Sequence, residues 1–259
     1  MIRIAIASAF IGWLAGALYQ ESSADKQDDA RRAAASALEK SVSQGGVVLS
    51  GRVKLKPPEA EGMTFEISDP NAGPAVEGDF AARVAKDGAG SVVLEKKGFR
   101  YELFHRGDRS AHRLSWTCEG VPIPGAVGGD LHRLLRWDRV LKQVEKSKKA
   151  EPRPDEAVDG ISCRVVSCDL APDYLEDPAK GKPGSPPPLE VSSIRATMHI
   201  DKASGLIKRM SFDVARKMNL AFGGGDEDIL VHSAYVFTVG AYESALKVEI
   251  PADVEKLLR

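Results

Sequence analysis

The sequence predicts a mainly β fold with a few helices (α+β), and three observations support this class. Short runs in which apolar and polar residues alternate recur along most of the chain, as in half-buried strands. Turn dipeptides such as Asp87-Gly88 and Lys97-Gly98 separate these runs at the spacing of an antiparallel meander. Only two long segments have helical periodicity. We expect about eight to eleven strands and two principal helices.

The two helical segments lie near the N-terminus and in the middle of the chain. In the first, residues 25–44, the apolar positions recur near helical spacing, and Gly45-Gly46 ends the run. The second, residues 129–149, is predicted to be one continuous helix with an apolar stripe. The stripe consists of Leu131, Leu134, Trp137, Leu141 and Val144.

Strands are predicted from the alternating runs. The first covers residues 47–55, a meander follows between 63 and 119, and the final third contains runs at 194–200, 206–214, 229–239 and 246–250. In residues 160–170 the alternation slips by one position, which predicts a β-bulge that places Cys163 and Cys168 on the same buried face. Pro251 is expected to open a short last helix.

The N-terminal segment has the pattern of a secretory signal. Arg3 precedes the apolar run Ile4–Leu18, which at about 15 residues is shorter than the roughly 20 that span a bilayer. The small residues Ser22-Ser23-Ala24 follow. We expect residues 1–24 to be a signal peptide and residues 25–259 a single β-rich domain; an uncleaved anchor is the alternative.

The charge composition does not indicate a nucleic-acid partner. The chain has 36 Lys and Arg against 37 Asp and Glu, a formal net charge of −1. A polyanion would require a strong basic excess, which is absent.

Cys118, Cys163 and Cys168 are the three cysteines of the chain. In an oxidising compartment at most one intramolecular disulfide can form among them, and the sequence does not say which. If the bulge exists, either Cys163 or Cys168 could meet Cys118 on a neighbouring strand. Neither a CxxC motif nor zinc-finger histidine spacing is present, so no metal is expected.

No catalytic motif is found in the sequence. It lacks a GxSxG elbow, an HExxH helix, a phosphate loop and a GxGxxG opening a helix, so we expect no enzymatic activity and no cofactor. His199 lies on a polar strand phase and is expected at the surface. His105 and His112 flank one turn but lack a placed third ligand.

The apolar phase of the strands is the most informative feature. Two or three helices cannot fully cover a curved sheet of this many strands, and partial coverage leaves an apolar cleft. A fully closed core is the equally weighted alternative. If a cleft exists, its predicted lining is Leu103, Trp116, Met198, Met210 and Phe212.

Residues 130–149 provide a second candidate surface. They carry seven Lys or Arg residues against three acidic residues. This is usually a solvated helix face, but a patch for a protein partner or for anionic lipid is the alternative. The candidate partner-binding residues are Arg133, Arg136 and Arg139.

Three stretches of the chain resemble the LolA-like superfamily of periplasmic carriers of outer-membrane lipoproteins. DEAVDGISCRVVSCDL at 155–170 is similar to the strand after the central helix, MHIDKASGLIKRMSFDV at 198–214 to a family hairpin, and LKVEIPADVEKLL at 246–258 to the closing strand and helix. The resemblance implies a half-open antiparallel β-barrel of about 8–11 strands, apolar within, covered by two or three helices. It implies no catalytic residue.

These expectations combine into one functional hypothesis. The chain is expected in the periplasm or cell envelope of a bacterium, as a non-enzymatic protein that holds a lipid acyl chain, a lipoprotein or another apolar ligand in a sheet cavity. Membrane contact is expected to be at most peripheral unless the signal is retained. The alternative is an envelope sensory or interaction module that binds a protein partner.

Overall fold

The computed structural model describes residues 24–56, 77–96, 99–107, 109–116, 125–175, 190–220 and 227–258. The predicted signal up to residue 23, Cys118, the proline-rich segment 178–188 and the glycine turn 223–225 lie outside the described residues. The division into a signal peptide and one domain therefore stays a prediction.

Ten strands form one antiparallel sheet, which confirms the predicted fold class. Along the sheet the order is β5-β4-β3-β2-β1-β10-β9-β8-β7-β6, and the two end strands do not pair with each other, so the sheet is open. The strands are β1 Gly46–Lys56, β2 Glu77–Val84, β3 Ala89–Lys96, β4 Phe99–Arg106, β5 Arg109–Trp116, β6 Ala150–Val158, β7 Ile161–Leu170, β8 Glu190–Asp201, β9 Ile207–Leu220 and β10 Glu227–Glu243.

Four helices accompany this sheet in the described part of the chain. They are α1 over residues 24–43, α2 Gly125–Leu134, α3 Trp137–Lys146 and α4 Ala252–Leu258, with a single 3-10 turn at Pro172–Leu175. The first helix agrees with the prediction for residues 25–44.

The single helix expected over residues 129–149 is wrong, because the chain breaks between α2 and α3. Arg136 leaves the helical region at φ −82° and ψ 74°. Its side chain stabilises this break between the helices, since the guanidinium donates hydrogen bonds to the Gly107 carbonyl and to the Asp138 carboxylate. A continuous apolar stripe does not reveal such a break.

The main core lies between one face of the sheet, here called the inner face, and the helical cover formed by α1, α2 and α3. Ala34 and Leu38 of α1, Leu131 of α2 and Val140 of α3 are fully buried against it. Polar contacts add to the packing of α1: the Ser41 hydroxyl accepts the backbone N–H of Ile207 at 3.0 Å.

A smaller apolar cluster lies on the opposite, outer face, where α4 packs on β4 and β5. It contains Phe104, Ala111, Val254 and Leu258, with Ile250 beside it. Residues 246–250, expected to be a strand, have no regular secondary structure and instead lead into α4. Pro251 directly precedes α4, as predicted.

The predicted bulge in residues 160–170 is wrong. The register between β7 and β8 is continuous from Cys163 to Leu170, so Cys163 and Cys168 lie on opposite faces. The irregularity falls in β6, between Arg153 and Glu156. Both faces of β7 are buried over 165–168, and alternation is therefore lost without a bulge.

Strand β6 was not predicted because Pro152 and Pro154 interrupt it. Proline is tolerated in an edge strand, where its missing N–H faces away from the ladder. β6 is the last strand of the sheet, and the two prolines occupy a position that would block the addition of another strand.

Candidate functional site

Three of the predicted lining residues come together on the inner face. Met198 on β8 is the direct cross-strand partner of Met210 on β9, and Phe212 follows on the same face. The Phe212 ring stands edge-on to Phe237 at a centroid distance of 5.8 Å. Phe237 in turn packs against Phe80 at 5.4 Å, so an aromatic row crosses the centre of the sheet.

The other two predicted lining residues lie towards the β5 edge. Leu103 on β4 belongs to the same core cluster. The backbone of Trp116 ends β5 opposite Phe99, and its side chain lies outside the described residues. Met198, Met210 and Phe212 are fully buried and Leu103 is 2% exposed. The helical cover is therefore closed over all four described lining residues.

A pocket of about 230 Å³ lies at the edge of the helical cover. It is bounded by the end of α1, the start of β1, the turn between β2 and β3, and the break between α2 and α3. Its apolar wall is made by Val42, Val47, Val84, Leu135 and Trp137. Ligand pockets usually enclose about 300–1,000 Å³, so the pocket admits a larger ligand only if the cover moves.

A buried charged cluster joins α2 to the sheet. Asp130 is 2% exposed, and its carboxylate accepts hydrogen bonds from Arg216 of β9 and from the Tyr235 hydroxyl of β10, the latter at 2.5 Å. Arg216 follows Phe212 and Val214 on the inner face, and both of these residues belong to the apolar core. Burial raises the pKa of Asp130, while Arg216 and Tyr235 oppose the rise. Burial also raises the pKa of Tyr235.

Two buried histidines form a second polar contact between α2 and the sheet. His105 of β4 is fully buried, and its ring centroid lies 5.1 Å from that of His132 of α2. His132 Nε2 is 3.3 Å from the Gly107 carbonyl oxygen, which the Arg136 guanidinium also contacts. Burial, then the charges of His132 and Arg136, lower the pKa of His105 to about 4.

His105 is poorly provided with hydrogen-bond partners. Neither ring nitrogen makes a hydrogen bond of normal geometry, although the Gly88 backbone lies close enough to raise the pKa slightly, as does the Asp138 carboxylate. The ring lies directly over Gly90, where a Cβ would be 1.9 Å from its Nε2. Sequence reasoning paired His105 with His112, whereas the fold pairs it with His132.

The candidate partner-binding arginines are not equivalent. Arg136 is occupied inside the structure by Gly107 and Asp138, Arg133 is half-buried, and Arg139 is exposed. The exposed positive charge near the end of α3 comes from lysines instead. They are Lys142, Lys146, Lys148 and Lys149.

Cys163 and Cys168 are buried free thiols. Burial raises the pKa of both, that of Cys168 to about 12. The strand order also places β5, which precedes Cys118 in the chain, at the edge opposite β7 and β6. The expected neighbouring strands are thus not neighbours, and a disulfide with Cys118 stays a prediction.

His199 is not at the surface, contrary to expectation. It is 6% exposed, and its Nε2 lies 3.0 Å from a Glu156 carboxylate oxygen. It does lie on the polar strand phase, but Glu156 of β6 contacts it there.

Among the described residues no three His, Cys, Asp or Glu side chains are placed to hold a metal ion. In the same part of the chain, no helix has the length and apolar character required to cross a membrane.

Several solved structures are similar to this chain. The lipoprotein LppX of Mycobacterium tuberculosis matches over 84% of this chain and 99% of its own, with 15% identity and a TM-score of 0.42. LprF of Mycobacterium bovis matches over 88% and 98%, with 14% identity and a TM-score of 0.37. A Vibrio parahaemolyticus domain named for outer membrane lipoprotein sorting matches over 87% and 100%, with 11% identity and a TM-score of 0.31.

These neighbours include the class of lipoprotein-sorting protein that the sequence motifs resemble. No family model and no curated protein sequence matches the chain. The TM-scores lie below 0.5, and the similarity extends to the fold alone.

The Asp130–Arg216–Tyr235 cluster was missed by sequence reasoning. One signal was available: Arg216 continues the apolar phase of Met210, Phe212 and Val214, and a charge on a buried phase requires a partner. The partner lies 86 positions away, and nothing in the sequence connects the two.

Proposed function

We propose that this chain is an exported, non-enzymatic binding protein that holds the acyl chain of a lipid or lipoprotein between its helical cover and the inner face of its sheet. The observation that carries the proposal is the way the cover is attached. A buried ion pair, Asp130 with Arg216, ties α2 to a largely apolar face.

The energetics of a buried ion pair support a cover that moves. Removing two charges from water costs several kcal/mol per ion, and an apolar pair of similar volume often gives equal or greater stability. An ion pair on an apolar face is therefore a poor device for permanent packing. Such a pair suits a cover with two states. In the closed state the ion pair is formed, and in the open state both charges are in water.

The inner face has the chemistry that an acyl chain requires. Met198, Met210, Phe212 and Phe237 present a continuous surface without hydrogen-bonding groups. Methionine is flexible and polarisable, and it adapts to ligands of varied shape. When the cover opens, this surface would be exposed to water unless a ligand replaced the helices, which gives the free energy for binding.

The 230 Å³ pocket is the proposed entrance through which an acyl chain reaches the inner face. It lies where the cover ends, and the half-buried Val42 and Val84 form part of its wall. A chain that enters there meets Val47 and Trp137, which belong to the buried core.

Displacement of a fluorescent fatty acid from the purified protein tests the proposal. Palmitate and a diacylated lipopeptide serve as competitors and distinguish a free lipid from a lipoprotein. Val84→Trp fills the entrance and is expected to weaken displacement about tenfold or more, equivalent to about 1.4 kcal/mol. Val93→Trp, in β3 on the outer face, is the matched control. Absence of displacement by both competitors would refute the proposal.

The second candidate function is a protein-interaction module that uses the basic end of α3. The exposed side chains of Lys142, Lys146 and Lys148 make no ion pair within the described residues. This observation favours a binding surface that includes the lysines over one made by the arginines alone. Charge reversal at Arg139, Lys142 and Lys146 should abolish capture of an acidic partner and leave fatty-acid displacement unchanged. Arg136 is unsuitable for this test because its substitution would alter the break between α2 and α3.

A further inference from the structure

The outer face of the sheet carries a pocket that the proposed function does not use. It measures about 490 Å³ and is lined mainly by residues of β1, β2, β9 and β10. These residues are Ser50, Gly51, Arg52, Asp79, Phe80, Arg209, Val236 and Thr238.

Two buried nitrogens in this part of the outer face have no hydrogen-bond partner. They are Nε of Arg209, which lines the pocket, and Nδ1 of His199 on the neighbouring strand. Arg209 on β9 is the direct cross-strand partner of His199 on β8, so the two unsatisfied groups belong to adjacent side chains. Buried polar groups are nearly always satisfied, and each exception in a native structure requires an explanation.

The donor and acceptor roles of these two nitrogens define which chemical group would satisfy them. His199 Nε2 faces a Glu156 carboxylate oxygen at 3.0 Å, and since an ionised carboxylate only accepts, Nε2 carries the hydrogen. In the neutral ring Nδ1 is then an acceptor. Arg209 Nε is a donor. The missing group must accept from Arg209 and donate to His199, as the oxygen and the hydroxyl of a hydrogen phosphate do.

Neighbouring residues extend this donor set along the outer face. Thr238 on β10 is the cross-strand partner of Arg209, and Ser50 on β1 is the partner of Thr238. His199, Arg209, Thr238 and Ser50 thus form one row across four adjacent strands, at roughly 4.8 Å per strand. The two hydroxyls can donate to an anion bound beside the guanidinium.

Arg209 is the member of the row that favours an anion. Arg52 is held by Asp79 at 2.7 Å, and Arg195 on the same face is held by Asp169 at 2.9 Å. Arg209 has no carboxylate partner among the described residues. A guanidinium that is free of a carboxylate has its donor fork available for an oxyanion.

We propose that Arg209, His199 and Thr238 form a binding site for a phosphate-class oxyanion on the outer face of the sheet. The site lies on the face opposite the acyl-chain site and does not depend on it. The anion could be free phosphate or the phosphomonoester headgroup of a lipid such as phosphatidic acid, since both offer an accepting oxygen and a donating hydroxyl.

Thermal unfolding in inorganic phosphate tests the site, with chloride at equal ionic strength as the reference. At a tenfold excess over the dissociation constant, phosphate should raise the Tm by about 3–5 °C. Arg209→Gln should abolish the rise, and His199→Gln should reduce it. Arg195→Gln is the matched control, because it removes a paired arginine from the same face, and it should retain the full rise.

Equal shifts in phosphate and chloride would overturn the proposal, and so would a phosphate shift that persists in Arg209→Gln. Either result would mean that water alone satisfies the two nitrogens. If Arg209→Gln is poorly folded, line broadening of the phosphate signal in phosphorus NMR gives an independent test with the wild type and Thr238→Val. Broadening by the wild type alone supports the site. Equal broadening by both proteins contradicts it.

Cosedimentation with vesicles identifies the source of the oxyanion. Binding to phosphatidic acid but not to phosphatidylcholine vesicles, lost in Arg209→Gln, assigns a lipid headgroup. A phosphate-dependent Tm shift without vesicle binding assigns a free phosphate compound.

Discussion

Nη2 of Arg216 donates to both carboxylate oxygens of Asp130, at 2.6 and 2.7 Å, across the contact between α2 and the inner face of the sheet. The side chains are 6% and 3% exposed, so the ion pair is almost completely removed from water. Its geometry satisfies the carboxylate, and the Tyr235 hydroxyl donates a third hydrogen bond. The ion pair is thus a buried polar link between the helical cover and a largely apolar surface.

Asp130→Asn should destabilise the protein strongly. The substitution leaves the Arg216 charge buried without a counter-charge, and breaking a buried pair in this way costs about 3–5 kcal/mol. Urea unfolding at neutral pH measures the loss. Asp173→Asn, at an exposed carboxylate of the 3-10 turn, is the control and should change the unfolding free energy by less than about 0.5 kcal/mol. Equal effects of the two substitutions would contradict the role of the pair.

Replacing the whole cluster by apolar residues should have the opposite consequence. In Asp130→Leu with Arg216→Met and Tyr235→Phe, the charges and the hydroxyl of the cluster are removed together, so stability should be preserved or increased by about 1–4 kcal/mol. If the ion pair allows the cover to open, the triple variant should take up a fluorescent fatty acid more slowly than the wild type. Stopped-flow fluorescence measures this rate, and unchanged uptake in a stabilised variant would count against a moving cover.

The parts of this structure that the sequence predicted are those controlled by local periodicity. Met198, Met210 and Phe212 share a face because side chains alternate strictly along paired strands, and no long-range information is required. The parts that were not predicted depend on contacts between distant residues. Asp130 and Arg216, or His105 and His132, become neighbours only after the sheet order and the position of α2 are known.

Arg136 and Pro152 show a second limit of sequence reasoning. The stripe on residues 129–149 does not change at Arg136, because the break is made by a side-chain contact with Gly107, a residue of another hairpin. Pro152 is unfavourable inside a sheet but acceptable at its edge, and edge position is a property of the whole fold. Local propensity is therefore correct only where tertiary contacts do not override it.

Gly51→Ala should destabilise the centre of the sheet. A Cβ at this position would lie 2.1 Å from Cζ of Phe80 and 2.6 Å from the Val236 carbonyl oxygen, and the latter is backbone that cannot move freely. Overpacking of this kind costs about 1–3 kcal/mol. Gly240→Ala in β10 is the control, since its nearest neighbour would be the Val48 carbonyl oxygen at an ordinary 3.6 Å. Thermal unfolding should show a clear loss only for Gly51→Ala.

His105 should make the protein less stable in mild acid. Its pKa of about 4 lies below the ordinary value of 6.5, because the fold buries the neutral ring beside His132 and Arg136. Above about pH 6.5 the ring is neutral in both the folded and the unfolded chain and has no effect. As the pH falls from 6.5 to 4, only the unfolded chain takes up the proton, and the folded state loses about 3 kcal/mol of relative stability.

Urea unfolding of the wild type and of His105→Phe, measured from about pH 7.5 to about pH 4.5, tests this expectation. Phenylalanine is chosen because its flat ring suits the space above Gly90. The variant should lack most of the acid-dependent loss between pH 6.5 and 4.5, whereas carboxylates contribute equally to both proteins. His232→Gln, at a half-buried histidine of β10, should follow the wild-type profile. Parallel profiles for the wild type and His105→Phe would show that the buried histidine pair does not control the response to acid.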